Sequence, residues 1–250
     1  MNKKQVTFLL FFFGFLISFI AQELPPITTF STEDYDAENQ NWDIAQSPDK
    51  FIYVANNEGM LEFNGEDWQL YPTPNGTIMR SVKWYEDKLY SGFYMDFGFW
   101  EKDEFGVFNF TSIVSLNQIQ MEEDEQIWEI EELDGWLIFK SLSRIYLYNS
   151  ETNEIKIIEA ENNITKLSKV NNIIFFHESN KGLFKIENGT PSLISDDPIL
   201  LRNKVVTIFS KNNEVYIITQ KEGIYKLIDD GLEKWETEVN RLLKSRTIYS

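Results

Sequence analysis

Few residues in this sequence are of the types that catalyse reactions or hold metal ions. The sequence has one histidine, His177, in the run IIFFHESN, and no cysteine. We interpret His177 as a hydrogen-bonded structural residue, because it lies near the end of a strand-like apolar run and has no second histidine at metal-binding spacing. Without cysteine there is no thiol nucleophile and no thiolate metal ligand. We therefore predict no catalytic residue, no metal site and no cofactor.

The acidic residues do not form a recognisable site either. The segment DYDAEN, residues 34–39, has carboxylates at alternate positions, as a calcium loop does. It lacks Gly at the sixth position and has Ala45 at the twelfth, where such a loop needs Glu. Among the 40 acidic residues, no spacing singles out a pair for glycoside hydrolysis. Four glycosylation sequons, beginning at residues 75, 109, 163 and 188, are interpreted as turns.

Amide and aromatic side chains are the best candidates for binding. An amide can hydrogen-bond a neutral polar ligand such as a sugar while an indole contacts its ring. An arginine can bind a carboxylate through two parallel hydrogen bonds. The alternative interpretation is that Asn forms turns, that Trp42 packs between sheets and that Arg80 satisfies buried carbonyl groups. The six candidate ligand-binding residues are Asn41, Trp42, Asn57, Arg80, Tyr94 and Asp96.

The elements that carry these residues recur along the chain. Past Pro26, short apolar and aromatic runs alternate with Asn, Asp and Gly, which is typical of strands joined by turns. Five copies of a four-strand unit align on a small residue, with spacings of 39, 45, 39 and 41 residues. A period near forty with four strands per copy predicts an all-β fold, a β-propeller with about five visible blades. The small residues are Gly59, Gly98, Ser143, Gly182 and Gly223.

The repeats predict the domain boundaries. We expect a leading segment over residues 22–41 and propeller repeats over 42–238. The predicted blades cover about 42–72, 79–112, 127–159, 164–195 and 205–238, and residues 239–250 resemble the truncated beginning of a further blade. Propellers close with between four and eight blades, and because residues 239–250 resemble the beginning of a further blade, we expect a ring of about seven blades in a longer protein. Closure with five blades is the alternative. The loops that carry the six candidates are expected to open on one face of it.

The N-terminus predicts export. Lys3 and Lys4 precede the uncharged run VTFLLFFFGFLISFI, and Ala21 offers a small residue before a polar segment. This pattern indicates a secretory signal peptide over residues 1–21. The run is short for a bilayer span, and a retained signal anchor is the alternative. We predict a location in the periplasm or on the extracellular face of the inner membrane.

The charge argues against one class of partner. The sequence has a net charge of −17. Nucleic-acid binding depends on Lys and Arg that displace counterions from phosphates, and an acidic surface repels them. We therefore predict that this chain binds no nucleic acid.

The runs NQNWDIAQ, FIYVANNEGMLEFNG, NGTIMRSV and LYSGFYMDFGFW together resemble the N-terminal sensor propeller of two-component-type regulators from Bacteroidetes. The resemblance covers about residues 25–240. It implies a signal peptide, propeller repeats, a triple-tyrosine immunoglobulin-like domain, a transmembrane helix and a cytoplasmic output such as a LuxR-type helix-turn-helix or a histidine kinase. The sequence differs from the domain order of this family in one respect: it stops before the triple-tyrosine domain, the transmembrane helix and the output domain.

Three hypotheses on function remain. The first is a non-enzymatic, extracytoplasmic ligand-sensing module of a membrane-bound signalling or transcriptional regulator. Its expected partners are a glycan or other small polar ligand and the missing C-terminal domains of its own longer protein. The second is a secreted propeller that serves as a protein-interaction platform. The third is a secreted polysaccharide lyase or glycosidase, which the lack of a catalytic constellation disfavours.

Overall fold

The computed structural model describes residues 26–229, 231–244 and 248. The chain divides into two units, residues 1–31 and Thr32–Ser250. Residues 26–31 have no regular secondary structure, and all the described strands belong to the second unit. The predicted signal peptide and its alternative, a signal anchor, lie outside the described residues. Within the ranges given above, no helix is both long and apolar enough to cross a membrane.

Twenty strands of the described chain form five antiparallel sheets of four strands each, which confirms the predicted all-β propeller fold. We call these sheets blades 1 to 5, in chain order. Blade 1 contains β1 (Asn41–Gln46), β2 (Ile52–Asn56), β3 (Gly59–Phe63) and β4 (Trp68–Tyr71). Blade 2 contains β5 (Met79–Tyr85), β6 (Lys88–Phe93), β7 (Asp96–Lys102) and β8 (Phe108–Ser112).

Blades 3 to 5 follow the same up-and-down order. Blade 3 contains β9 (Glu129–Leu133), β10 (Trp136–Lys140), β11 (Arg144–Asn149) and β12 (Ile155–Glu159). Blade 4 contains β13 (Ile164–Val170), β14 (Ile173–Glu178), β15 (Gly182–Glu187) and β16 (Thr190–Ser195). Blade 5 contains β17 (Val205–Lys211), β18 (Glu214–Thr219), β19 (Gly223–Ile228) and β20 (Gly231–Lys234). The helices are α1 (Thr32–Tyr35), α2 (Ile113–Leu116), α3 (Pro198–Arg202) and α4 (Glu238–Lys244).

Short hairpins join the strands, and the sequence encodes their shape. Asn171 and Asn172 join β13 to β14 with φ angles of 49° and 61°, and Asn212 and Asn213 join β17 to β18 with φ of 53° and 64°. Two consecutive residues with positive φ define a type I′ turn, whose twist matches that of paired strands. Asn tolerates this conformation better than most residues because its short side chain hydrogen-bonds locally.

The first strand of each blade is the innermost. The strands β1, β5, β9, β13 and β17 lie side by side in that order. In the part of the chain that the structure describes, the five blades form an open arc and do not close into a ring.

Apolar side chains fill each gap between neighbouring blades. Tyr53 and Met60 of blade 1 meet Leu89 and Phe93 of blade 2 in one fully buried cluster. Three further clusters occupy the gaps between blades 2 and 3, 3 and 4, and 4 and 5. Aromatic rings make up much of the cluster between blades 2 and 3, where the ring centres of Phe97 and Phe139 lie 4.5 Å apart. Each blade is therefore stabilised by burial against its neighbours, since a single four-stranded sheet cannot bury two faces.

Carboxylates of the innermost strands bind the backbone of the next blade. Asp43 in β1 accepts a hydrogen bond from the Val82 amide in β5, at 3.0 Å. Glu129 in β9 accepts one from the Leu167 amide in β13, at 2.7 Å, and pairs with Lys166 at the same distance. These bonds fix the register of one inner strand against the next. Burial raises the pKa of Asp43 above its ordinary value, although the hydrogen bonds from Val82 and Ile44 act in the opposite direction.

Helix α4 occupies the segment in which the sequence predicts the first strand of a further blade. Its Asn240 is buried, accepts a hydrogen bond from the Ile224 amide and donates one to the Ile224 carbonyl. Together with the Trp235 amide, which also donates to the Ile224 carbonyl, this side chain satisfies the backbone polar groups of Ile224 in β19. The described residues of this segment are helical instead of extended, and α4 lies against β19.

A glycine allows the third strand of blade 1 to begin close to the fourth. Gly59 has φ +142°, and a Cβ placed there would lie 2.3 Å from the Tyr71 carbonyl oxygen. Gly98, which the repeat alignment matches to Gly59, lies two residues inside β7 and has no positive φ. A Cβ at Gly98 would still lie 2.0 Å from the Thr111 carbonyl oxygen. Both glycines therefore permit the approach of the outer strand, and only Gly59 also needs the unusual dihedral angle.

We expect Gly59→Ala to lower the free energy of unfolding by about 3 kcal/mol or more, because backbone strain of roughly 1–3 kcal/mol adds to a steric clash. Urea denaturation measures the change. Gly65→Ala is the control, since Gly65 also has a positive φ, +102°, but nothing lies within 4 Å of its Cβ position. Equal losses in the two variants would contradict the assigned steric role.

Candidate functional site

Two kinds of loop meet on one face of the arc. The first kind precedes the first strand of a blade, and the second kind joins the second strand to the third. We call this face the mouth. The Trp42 indole, at the start of β1, donates a hydrogen bond to Asn57 Oδ1 in the β2–β3 turn, at 2.8 Å. Asn57 Nδ2 in turn donates to Glu38 Oε2, at 2.6 Å. Asn41 Oδ1 accepts a bond from Asn56 Nδ2, at 2.8 Å. Three of the six candidate residues, Asn41, Trp42 and Asn57, thus belong to one hydrogen-bonded group.

Arg80 contacts two indole rings at this mouth, those of Trp42 and Trp128, which lie edge to face. Its guanidinium carbon is 3.9 Å from the centre of the Trp42 ring and 4.6 Å from that of Trp128. Its Nε donates to Gln126 Oε1 at 2.9 Å, while NH1 is buried and has no hydrogen-bond partner among the described residues. Burial lowers the pKa of Arg80 from its ordinary value, but a guanidinium stays protonated. The stacking orients the cation and leaves part of its hydrogen-bonding capacity unused.

Tyr94 and Asp96 lie further out, in blade 2. The Tyr94 hydroxyl donates to Asp124 Oδ1 at 2.7 Å, and the Tyr94 backbone forms a bridge with Gln126. Asp96 Oδ1 accepts bonds from the Phe97 amide at 2.8 Å and the Ser112 hydroxyl at 2.7 Å. Asp96 therefore holds β7 to β8, and the Tyr94 backbone is linked to Arg80 through Gln126. The structure does not bring these two candidates to the Trp42 group.

A cavity of about 600 Å³ opens beside Trp42 and Arg80 and runs along the inner strands of blades 1 to 4. Its volume lies within the range of small-molecule sites, roughly 300–1,000 Å³. Trp42, whose surface is 41% exposed, offers apolar area to it. Three acidic residues, Asp43, Glu129 and Glu131, and three basic residues, Arg80, Lys140 and Lys166, line the cavity. Asn57, Tyr94 and Asp96 do not line it.

The residue that ends the second strand differs between blades, and in blade 3 it is a lysine. This position is buried in every blade, and in blades 1, 4 and 5 its polar side chain bonds to the adjacent turn or connection. In blade 3 the residue is Lys140, which is 3% exposed, and its amine has no hydrogen bond in the described part of the chain. Burial lowers the pKa of Lys140 from its ordinary value; Glu129 acts against this shift and Lys166 adds to it. The equivalent residues are Asn56, Phe93, Glu178 and Thr219.

His177 is fully buried in β14 and has both ring nitrogens bonded. Its Nε2 lies 2.8 Å from the Leu200 carbonyl oxygen, which can only accept, so Nε2 carries a proton. In the neutral ring, Nδ1 then accepts from the Thr165 hydroxyl at 2.7 Å. These contacts fit the interpretation of His177 as a structural residue. Over the same ranges of residues, no group of three or more Asp, Glu, His or Cys is arranged to hold a metal ion.

The sequence interpretation missed Trp128, Gln126 and Lys140 as members of the mouth. Trp128 recurs in register with Trp42 in the repeat, a pattern that favours packing between blades. One feature of the sequence could have identified Lys140. It directly follows the apolar run WLIF, and a lysine that continues a buried strand is itself buried, which is rare for this residue type. No sequence pattern indicates that Gln126, 46 residues away, bonds Arg80.

Solved structures share this fold, although no protein-family model and no curated protein matches the sequence. The extracellular domain of the hybrid two-component system BT3049 from B. thetaiotaomicron is 17% identical, with a TM-score of 0.59, over 83% of this chain and 28% of its own. The corresponding domain of BT4673 from the same organism is 17% identical, with a TM-score of 0.61, over 86% and 29%. PorZ, a surface component of the type-IX secretion system of Porphyromonas gingivalis, is 14% identical, with a TM-score of 0.61, over 87% and 38%.

These likenesses define the class of fold. The five blades and the shared architecture make this chain a β-propeller protein. It spans less than a third of the first two extracellular domains, 28% and 29% of their lengths. At this level of identity, the likeness does not carry over any ligand or partner.

We expect the stability of the wild-type protein to fall as pH decreases below 6.5, the ordinary pKa of histidine. Burial lowers the pKa of His177 in the folded state, so the unfolded chain binds the proton first and is favoured by acid. The contribution of His177 to the free energy of unfolding is fully present above pH 6.5 and is lost as the pH falls towards the lower pKa of the folded state. Urea unfolding at several pH values measures it.

His177→Gln is the matched variant, because His177 is the only histidine of the sequence. It should lose this part of the pH dependence and about 1–3 kcal/mol of stability at neutral pH, since the bonds to Thr165 and Leu200 are incompletely replaced. Parallel pH profiles for the two proteins would contradict the assignment.

Proposed function

We propose that this chain is the ligand-sensing propeller of an exported signalling protein, and that it binds a small polar ligand such as a glycan at the mouth. The observation that supports this most is the Arg80 group beside the 600 Å³ cavity, in which an arginine oriented by two indoles keeps an unused donor. Most buried donors in folded proteins are bonded, so the unbonded NH1 of Arg80 has capacity for one further hydrogen bond.

The surroundings of the mouth suit recognition of a polar ligand. The amides of Asn41 and Asn57 lie beside the exposed indole of Trp42, so hydrogen bonds and apolar ring contact are available within one group. These side chains are held on rigid strand ends by bonds to Glu38 and Asn56. A site whose groups are already ordered loses little entropy on binding.

We further propose that the chain is not an enzyme by itself. The carboxylates that line the cavity are used in the fold: Asp43 and Glu129 bond to backbone amides of the next blade, and Glu131 pairs with Lys83 at 3.0 Å. The only histidine is buried between Thr165 and Leu200. General acid–base catalysis needs a titratable group within reach of the substrate and free to exchange a proton.

The signalling context follows from the proposed class. The fold is shared with extracellular domains of two-component systems, and the sequence begins with a predicted signal peptide. We propose that the propeller lies in the periplasm or outside the inner membrane and conveys ligand binding to C-terminal domains of its own protein. A triple-tyrosine domain, a membrane helix and a LuxR-type output are the expected partners, encoded downstream.

We expect Arg80→Ala and Asn57→Ala each to weaken the binding of a glycan or other polar ligand by about tenfold or more. Arg80→Ala removes the stacked cation, and Asn57→Ala releases the Trp42 indole from its hydrogen bond. Calorimetry with a panel of glycans on the full chain measures the affinities. Arg202→Ala, on the exposed end of α3, is the control and should bind as the wild type does. Unchanged affinity in both mouth variants would contradict the proposed site.

A further inference from the structure

Two cations that line the cavity have no carboxylate partner in the described part of the chain. The three acidic residues beside them are already bonded: Asp43 and Glu129 bind backbone amides, and Glu131 binds Lys83. The cations without a carboxylate partner are Arg80 and Lys140. In a chain with a net charge of −17, a cavity lined by as many basic as acidic residues is contrary to the overall composition.

Lys140 departs from the pattern of its own repeat. The equivalent polar residues of the other blades, Asn56, Glu178 and Thr219, turn back onto their own turns or onto the connection between blades. The Lys140 side chain forms no such bond, and the residue is 3% exposed at the wall of the cavity. A buried, unpaired ammonium destabilises the folded state. Its position at the cavity wall therefore indicates a partner that is not part of the described chain.

The balance of charges restricts that partner to a weakly charged anion. The cavity is lined by three acidic and three basic residues, so an anion of high charge, such as a phosphate, would be repelled by Asp43, Glu129 and Glu131. A single carboxylate can accept hydrogen bonds from a guanidinium and from an ammonium at the same time. The exposed indole of Trp42 offers an apolar surface for a ring attached to that carboxylate.

We propose that the cavity binds a small monocarboxylate with an attached ring, whose carboxylate pairs with the Lys140 amine and the Arg80 guanidinium. This inference rests on the proposed ligand-binding function, because it names the chemical class of the ligand at the same site. The ligand contributes the negative charge that the blade lacks at Lys140, and Trp42 contacts its ring.

Titration of the full 250-residue chain with sodium benzoate tests this, followed by calorimetry and tryptophan fluorescence. Benzamide, a neutral molecule of nearly the same shape, and inorganic phosphate are the comparison probes. We expect saturable binding of benzoate and binding of benzamide and phosphate that is weaker by about tenfold or more. Benzamide or phosphate binding as tightly as benzoate would overturn the carboxylate assignment.

Lys140→Met tests the residue, because methionine has a similar length, carries no charge and suits a buried site. We expect it to bind benzoate about tenfold or more weakly and to unfold at the same or a higher urea concentration than the wild type. Lys185→Met is the control, since Lys185 pairs with Glu187 on the outer part of blade 4. Arg80→Gln is a second variant, at a half-buried position, and should also weaken benzoate binding.

The outcomes separate this inference from the proposed function. If a neutral sugar binds at the mouth and benzoate does not, the carboxylate assignment is wrong while the ligand-binding function stands. If neither benzoate nor any glycan binds, both are wrong. If the wild type binds benzoate and folded Lys140→Met and Arg80→Gln bind it equally well, the anion lies elsewhere and the site is wrong.

Discussion

Burial between neighbouring blades is the interaction on which the rest of this structure depends. Each four-stranded sheet has two largely apolar faces, and the chain has no cysteine that could form a disulfide in their place. Tyr53, Phe97 and Phe139 are fully buried in the gaps, where large flat rings fill the space between twisted sheets. Because neighbouring blades must meet across whole faces, their innermost strands are brought side by side around a common channel.

Polar side chains line this channel, whereas the apolar side chains are packed between the blades. The inner strands cannot hydrogen-bond to one another as strands of one sheet do, and side chains such as Asp43 and Glu129 bind the amides of the next blade instead. These carboxylates are therefore used to align blades. Arg80 and Lys140 pair with no carboxylate among the described residues, and this difference, more than the number of charges, distinguishes the mouth from the remaining polar surface.

The fold could be predicted largely from the sequence because its information is local and repeated. Strand alternation recurs in five copies, and Asn-Asn or Asp-Gly turns join the first two strands of blades 3 to 5, so an error in one copy is corrected by the others. The misalignment of Gly98 shows the limit, since a residue can match the repeat in type and lie two places away in the strand. The segment after residue 238 shows another: Asn240 supplies strand-like hydrogen bonds from a helix, which no periodicity indicates.

By itself, the sequence determined the class of fold, the number of visible blades and the residue types that suit a polar ligand. It also placed Trp42 and Arg80 among the candidates. Only the tertiary structure decided that Trp128 stacks on Arg80, that Gln126 orients it, that Asp96 is used in blade 2 and that Lys140 lines the cavity without a partner. The physical reason is that local periodicity specifies strands and turns, whereas the pairing of charges depends on which side chains of different blades meet across the channel.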